Sequence, residues 1–364
     1  MSQDTPLPSR RDKRTAKAIK PPGKKFRWGR FVFLLLSLII VVLGTYAGIL
    51  YFDSWQGNLN KIGKPNNGSV IPKEERAQNK PIALVLLGLD TRPETGSMNT
   101  DVMMVASFNP ETKTATVVSI PRDSDMDIDG YKKHKANAYY SAFSREGRNE
   151  KNLEGDAVAA YARDETRLML SRFFDIKIDY TAVIDFRGFV DVVDALGGVD
   201  VTVDKDMRYV DNADGTNIDL KEGAQELDGE QALGFVRYRQ SNRGTAQSSD
   251  FERNERQSQV LGAITDRMKS LGTVTKIDGI LNAVGDNMRT DIPKAQIENI
   301  IKTYFGINRS SIRFIPLEGE WKSPYVYLNQ EKLAEAKQAL AEELIPDGRP
   351  TASPVNSATA STEE

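Results

Sequence analysis

Residues 31–52, FVFLLLSLIIVVLGTYAGILYF, run for 22 positions without a charged side chain. Wound as an α-helix, such a stretch is about 33 Å long, enough to cross a bilayer core of about 30 Å. Its apolar residues go all the way round instead of recurring on one face, which argues against a core helix of a soluble domain. It is also longer than the roughly 7–15-residue apolar region of a cleaved signal peptide, and no A-x-A site comes after it. Residues 1–30 carry ten Lys or Arg against Asp4 and Asp12, a net of +8. The positive-inside rule then keeps that segment in the cytoplasm and exports the chain beyond residue 52. The expected layout is a cell-membrane protein with a single-pass anchor, a cytoplasmic N-terminus and an extracytoplasmic domain.

The whole chain holds 49 basic and 51 acidic residues, so with ten and two in the first thirty the remainder has 39 and 49, a net of -10. An exported, acidic domain is a poor partner for nucleic acid. With no cysteine, disulfide scaffolds and Cys-based metal or redox chemistry are excluded. His134 is the only histidine and reads as a solvated loop residue, which removes Ser-His-Asp catalysis and multi-histidine zinc sites. Chemistry in this domain falls to carboxylates, arginines and a hard cation.

Residues 53–80 are polar and read as a linker. Residues 346–364, rich in Pro, Ser, Thr and Ala, lack the apolar groups a core requires. The expected domain is 81–345, with no internal repeat and no Gly-rich phosphate loop. It opens with three strand-like runs, PIALVLLGLD, DVMMVASFN and TATVVSIPRD. Later segments alternate: GDAVAAYARDETRLMLSRFF is helical, YTAVIDF strand-like, RGFVDVVDAL helical up to Gly197 and Gly198, and VDVTV strand-like. In LDGEQAL, Asp228 and Gln231 form a capping-box pattern. The fold class is α/β, a mixed sheet sandwiched between helices.

If the first three runs form a meander, one sheet edge collects the end of the first, the start of the second and the end of the third. That edge holds Asp90, Asp101 and Arg122. Two carboxylates there suit one Mg²⁺, which takes a couple of carboxylates with water and phosphate oxygens; the alternative is a pair of ordinary turn residues.

Residues 234–257 hold five arginines: Arg237, Arg239, Arg243, Arg253 and Arg256. An extended VRYR, favoured by its β-branched and aromatic neighbours, points Arg237 and Arg239 to one face; a helical one sets them apart. From residue 250 the spacing predicts a helix in which Arg253 and Gln257 lie in line with Val260 and Ile264, on the side that becomes buried. Arginines drawn inward at the positive end of a helix dipole are resolved by an anion, and a phosphate suits both the guanidinium groups and the free N–H groups. Internal pairing with Asp250, Glu252 and Glu255 is the alternative.

In their order behind an anchor, LLGLDTR, TDVMMVASFNP, SIPRD, DALGGVDV, LDGEQALGFVRYR and DFERNERQ resemble the LytR-CpsA-Psr family of cell-wall glycopolymer ligases, over about residues 82–270. The resemblance implies transfer of a phosphorylated glycopolymer, such as a teichoic acid or capsule, from a polyprenyl-pyrophosphate carrier to peptidoglycan, with a phosphodiester formed. It also implies Asp90 and Asp101 as Mg²⁺ ligands, and Arg92, Arg122, Arg237, Arg239, Arg253 and Gln257 as the pyrophosphate-binding set, with Asp250 orienting an arginine. Asp90, Asp101, Arg237 and Arg239 are the expected catalytic residues. Two departures stand out: Asn99 occupies a position where the family usually has arginine, and the loop from Arg239 to Asp250 is long. The same site chemistry is compatible with a polyprenyl-pyrophosphate phosphatase, and a non-catalytic wall-lipid-binding attenuator is the other alternative.

Overall fold

The computed structural model describes residues 71–92, 97–212, 215–270, 280–281, 285 and 287–346, without the side chains of residues 91, 92, 97 and 250. The basic segment, the apolar run 31–52, most of the linker and nearly all of the tail lie outside the described residues. Among those described, no helix is long and apolar enough to cross a membrane.

The three opening runs form the expected meander. Strands β1 (Ile82–Arg92), β2 (Ser97–Asn109) and β3 (Thr114–Ser119) pair antiparallel in sequence order. The chain then runs through helices α1 (Tyr139–Asn149) and α2 (Asp156–Phe174) before β4 (Tyr180–Asp185) adds parallel to β1. Helix α3 (Phe186–Ala195) is next, capped by Asp185, whose carboxylate accepts from the Gly188 amide at 2.8 Å. It stops where Gly197 and Gly198 take φ of +77° and +93°, backbone that side chains with a Cβ resist.

Two small hairpins come after it. β5 (Val199–Val203) pairs with β8 (Gly223–Leu227), and β6 (Met207–Asp211) pairs with β7 (Thr216–Leu220). Helix α4 (Gly229–Arg237) begins with the predicted capping box, in which Asp228 and Gln231 exchange side-chain to backbone hydrogen bonds. Beyond it lie helix α5 (Asp250–Ser270), β9 (Met288–Thr290) antiparallel to β4, helix α6 (Lys294–Tyr304), and β10 (Ile312–Pro316) parallel to β3. The main sheet therefore reads β9-β4-β1-β2-β3-β10. The hairpin of β11 (Gly319–Lys322) and β12 (Tyr325–Leu328) and helix α7 (Gln330–Glu343) complete the domain.

Alternation along β1 splits the core in two. Ala83, Val85 and Leu87 face a layer built on α1, α2 and α7, whereas Leu84 and Leu86 face the opposite side, where Leu261 of α5 packs. A strand buried on both faces explains why β1 reads as a continuous apolar run. A separate cluster, including Val201, Ile218, Phe235 and Val260, packs the small hairpins against α4 and α5.

Residues 71–80, read from the sequence as the end of a linker, pack on this domain. Ala77 is buried, its amide donates to Gln296 Oε1 at 3.2 Å, and Gln296 Nε2 donates to the Glu75 carbonyl at 3.0 Å.

Candidate active site

The register of β1 and β2 slips once. Gly88 faces Val102 and Leu89 faces Thr100, which leaves Asp101 as the additional residue of a β-bulge. A bulge bends its strand and re-aims one side chain, here a carboxylate at the sheet edge. Glycine at 88 permits it: a Cβ there would lie 2.9 Å from Val102 Cβ. Beyond the bulge, Asp90 stands opposite Asn99.

Asp90, Asn99 and Asp101 line a cavity of about 630 Å³ together with Arg122, Arg237, Arg239 and Arg253. Arg122 Nη1 donates to Asp101 Oδ1 at 2.7 Å, and Arg237 Nη2 lies 3.9 Å from Asp90 Oδ2. The guanidinium of Arg237 also stacks on Phe186 at 4.3 Å. Segments far apart in sequence thus supply four cations and, with Asp211, three carboxylates to one bowl.

The bend in VRYR places Arg237 and Arg239. Contrary to the extended reading, Arg237 is the last residue of α4, and the chain leaves the helix at Tyr238, with φ −55° and ψ 118°. Capping at Asp228 and burial of Phe235 and Val236 outweigh the strand preference of Val and Tyr. Both arginines nevertheless reach the cavity, because the turn at Tyr238 redirects the backbone between them.

On α5, Arg253 and Gln257 are buried as the periodicity predicts. Arg256 is buried as well, but it is structural. Its Nε and Nη2 donate to the two Asp204 oxygens at 2.7 and 2.8 Å, its Nη1 donates to the Tyr238 carbonyl, and its Nη2 to Ser248 Oγ. Internal pairing therefore explains Arg256, through Asp204. The helix start is also satisfied internally: the Glu252 amide donates to Ser249 Oγ, and Glu252 Oε2 accepts from the Ser249 amide. This reciprocal cap uses an N–H group that the sequence reading offered to phosphate.

Gln257 lies one turn beyond Arg253, on the wall of a second cavity of about 300 Å³. That space is enclosed by apolar side chains of β1, β2, β4, β9, α3, α4 and α5, among them Leu86, Ala182, Val192 and Ile264. Asp101, Arg237 and Arg253 line both cavities, so the two meet at these three residues. Chemically, a cationic bowl joined to an apolar slot suits a ligand with an anionic head and a hydrocarbon tail.

The β6–β7 hairpin supplies Tyr209, Asp211 and Thr216 to the bowl, and Gln240 joins them after Arg239. Sequence reading missed these residues, since nothing in MRYVDNADGTNIDL distinguishes a cavity wall from an ordinary turn. Arg92 ends β1, and Asp250 begins α5, but both side chains lie outside the described residues. His134 pairs with Met126 across a two-residue bridge, its ring 5.3 Å from Tyr139, and it does not line the bowl. Burial, with Lys132 and Arg145 nearby, pushes its pKa down.

Two carboxylates at one cavity mouth fit the oxygen-donor set of Mg²⁺ if a ligand's phosphate completes it. Among the described residues, no three acidic or histidine side chains converge on a metal position.

The mixed α/β fold matches solved structures of one family. The chain belongs to the LytR_cpsA_psr family, whose model matches residues 55–342. It is 28% identical over 344 residues to the polyisoprenyl-teichoic acid–peptidoglycan teichoic acid transferase TagT of Bacillus subtilis, covering 89% of this chain and 97% of that protein. It is also 28% identical over 291 residues to TagV of the same organism, a transferase of the same description, covering 79% and 69%. The crystal structure of TagV superposes with a TM-score of 0.57 at 29% identity, covering 74% of this chain and 99% of that one. TagT with bound octaprenyl pyrophosphate lipid superposes with a TM-score of 0.52 at 26% identity, covering 75% and 94%.

Proposed function

We propose that this protein is a membrane-anchored phosphotransferase that moves a glycopolymer from a polyprenyl-pyrophosphate carrier onto peptidoglycan. The single observation that carries the reading is the junction of cationic bowl and apolar slot at Asp101, Arg237 and Arg253. A polyprenyl pyrophosphate has that same division between charged head and hydrocarbon tail. Membership in a family with transferases such as TagT and TagV supports the reaction class.

In this reading Arg122, Arg237, Arg239 and Arg253 neutralise the pyrophosphate, which otherwise repels an incoming hydroxyl. They also stabilise the charge that builds on the phosphoryl oxygens. The acceptor hydroxyl attacks the phosphorus that bears the glycan. Its bond to the bridging oxygen breaks, polyprenyl phosphate departs, and the glycan is left in a phosphodiester with peptidoglycan. The hydroxyl proton passes to a carboxylate of the bowl, Asp90 or Asp101. Asp90 and Asp101 are the residues that would hold a Mg²⁺, which would add charge neutralisation at the phosphates. Arg92, Asp250 and Gln257 complete the pyrophosphate-binding set.

The apolar run 31–52 serves as the anchor, with residues 1–30 in the cytoplasm and the domain outside, on the strength of its length and basic flank. The decisive experiment incubates the purified protein with Mg²⁺, a polyprenyl-pyrophosphate glycan and peptidoglycan oligomers. Covalent attachment of glycan to the oligomers, lost in Arg239→Ala, is the expected result. Release of polyprenyl phosphate without attachment would convert the assignment to a phosphatase.

A further inference from the structure

Strands β6 and β7 form a two-stranded sheet, so among the described residues the outer edge of β6 has no third strand beside it. Such an edge presents N–H and C=O groups that need partners. The long loop after Arg239 supplies them from its side chains. Asn242 Oδ1 accepts from the Val210 amide at 3.0 Å, and its Nδ2 donates to the Val210 carbonyl at 2.6 Å. Thr245 Oγ1 accepts from the Arg208 amide at 3.0 Å, and Ser241 Oγ donates to the Arg208 carbonyl at 2.9 Å. Tyr238 Oη fastens the loop further along, donating to the Ala246 carbonyl at 2.7 Å. These side chains stand in for a strand, and loop and hairpin form one braced unit.

The brace holds a wall of the bowl. Side chains alternate along β6, and Tyr209 and Asp211, which share one face, line the cavity. Tyr209 Oη donates to Asp211 Oδ2 at 3.3 Å. Thr216, opposite Asp211 in the hairpin, and Gln240, at the start of the loop, line it as well. A phenol, a carboxylate, a hydroxyl and an amide make up this wall, and none of the four is a cation. Phosphates have four guanidinium groups elsewhere in the bowl, and the Asp211 carboxylate repels them. A neutral group rich in hydroxyls suits the wall, donating to Asp211 and accepting from the Gln240 amide.

In-line displacement decides which substrate brings those hydroxyls. The attacking and leaving oxygens stand on opposite sides of the phosphorus. Polyprenyl phosphate leaves with its chain in the apolar slot, so the attacking hydroxyl enters from the part of the bowl away from the slot. Tyr209, Asp211, Thr216 and Gln240 line the bowl and not the slot, whereas Asp101, Arg237 and Arg253 line both.

We propose that the hairpin wall of Tyr209, Asp211 and Thr216 binds the acceptor sugar, with Asn242 as the positioning residue that holds this wall at the bowl. The identity of the sugar as acceptor rests on the transferase reading; binding of sugar hydroxyls at the wall does not.

The test loads the full chain, in detergent micelles, with octaprenyl pyrophosphate and titrates it calorimetrically with a β-1,4-linked N-acetylglucosamine tetramer. Saturable binding is expected, about tenfold weaker in Asp211→Asn, which loses a hydrogen bond to a charged group, and about fivefold weaker in Asn242→Ala. Affinity for the lipid is expected not to fall in either variant, whereas a general loss of structure would lower it too. No tetramer binding to the wild-type protein, equal binding in Asp211→Asn, or weaker lipid binding in that variant would each overturn the wall. Tetramer binding that persists in a protein unable to transfer glycan refutes the transferase reading alone. Where transfer proceeds, acceptor KM should rise in both variants with donor KM unchanged. A rise in donor KM instead would overturn the acceptor role, and an unchanged acceptor KM in Asn242→Ala would overturn its positioning role.

Discussion

Arg253 and Arg256 sit three residues apart on one helix, both buried, yet only Arg253 lines the bowl, because Asp204 holds Arg256 through two hydrogen bonds of 2.7 and 2.8 Å. One arginine is committed to an ion pair of the fold, and the other lines the cavity. Burial of Arg256 at 3% side-chain exposure makes the pair structural even though Asp204 is 38% exposed.

Arg256→Ala is therefore expected to destabilise the domain by about 3 kcal/mol, the lower end for a broken buried pair, since Asp204 remains partly solvated. Urea unfolding measures it, and a change under about 0.5 kcal/mol, as for an ordinary surface site, would show the pair to be dispensable.

The same pair sets an acid dependence. Burial tends to raise the Asp204 carboxyl, but the hydrogen bonds and charge of Arg256, with Lys205 nearby, outweigh it and hold the pKa below the usual value. A depressed folded-state pKa gives stability that is complete above the unfolded value of about 4 and is lost as pH falls through the folded one. Between neutral pH and pH 3, Asp204→Asn should accordingly lose less stability than the wild-type protein, by thermal melts at each pH.

Arg237 and Arg239 face the bowl from either side of the bend at Tyr238. Arg239→Ala is expected to lower transfer by about 10²–10³-fold, as for loss of one preorganised charge-stabilising group, with a melting temperature close to wild type. Arg237→Ala should lose activity similarly and cost slightly more stability, because its guanidinium stacks on Phe186. Equal transfer in both variants would remove them from the reaction.

Gly88→Ala tests the bulge. Its Cβ meets Val102 at 2.9 Å, so the strands must separate or the register must slip. Loss of about 1–3 kcal/mol is expected, accompanied by a drop in transfer greater than instability explains, since Asp101 is re-aimed. A variant with full activity would show that the bulge does not position the carboxylate.

Chelation with EDTA should abolish transfer and added Mg²⁺ restore it, while Asp101→Asn, isosteric but neutral, should stay inactive at any Mg²⁺ concentration tested. Chelator-resistant transfer would refute the metal.

Much of the sheet is legible in the sequence because β1, β2 and β3 carry continuous apolar or alternating runs closed by Asp, Asn and Pro, and because α4 carries its cap in its sequence. Meander logic alone brings Asp90, Asp101 and Arg122 together. VRYR misleads because local preference there is strand-like while the tertiary burial of Phe235 and Val236 keeps the helix going. Arg256 is ambiguous for a different reason: its partner, Asp204, lies 52 positions earlier, beyond the reach of helical periodicity. The bulge at Asp101 depends on pairing between strands, and the apolar slot gathers side chains from seven elements. Neither leaves a local signature. At Asn99, where an arginine is usual in the family, the structure sets an amide opposite Asp90, which leaves cation supply to Arg237 on that side.

The meeting of bowl and slot at three shared side chains has a consequence for selectivity. A water-soluble sugar nucleotide offers two phosphates to the arginines but nothing to fill the greasy space behind them. A simple fatty acid fills that space but brings too little charge. In the proposed reading, discrimination against both falls to a single doorway, so trimming Arg253 should slow transfer and at the same time make the protein less choosy about its donor.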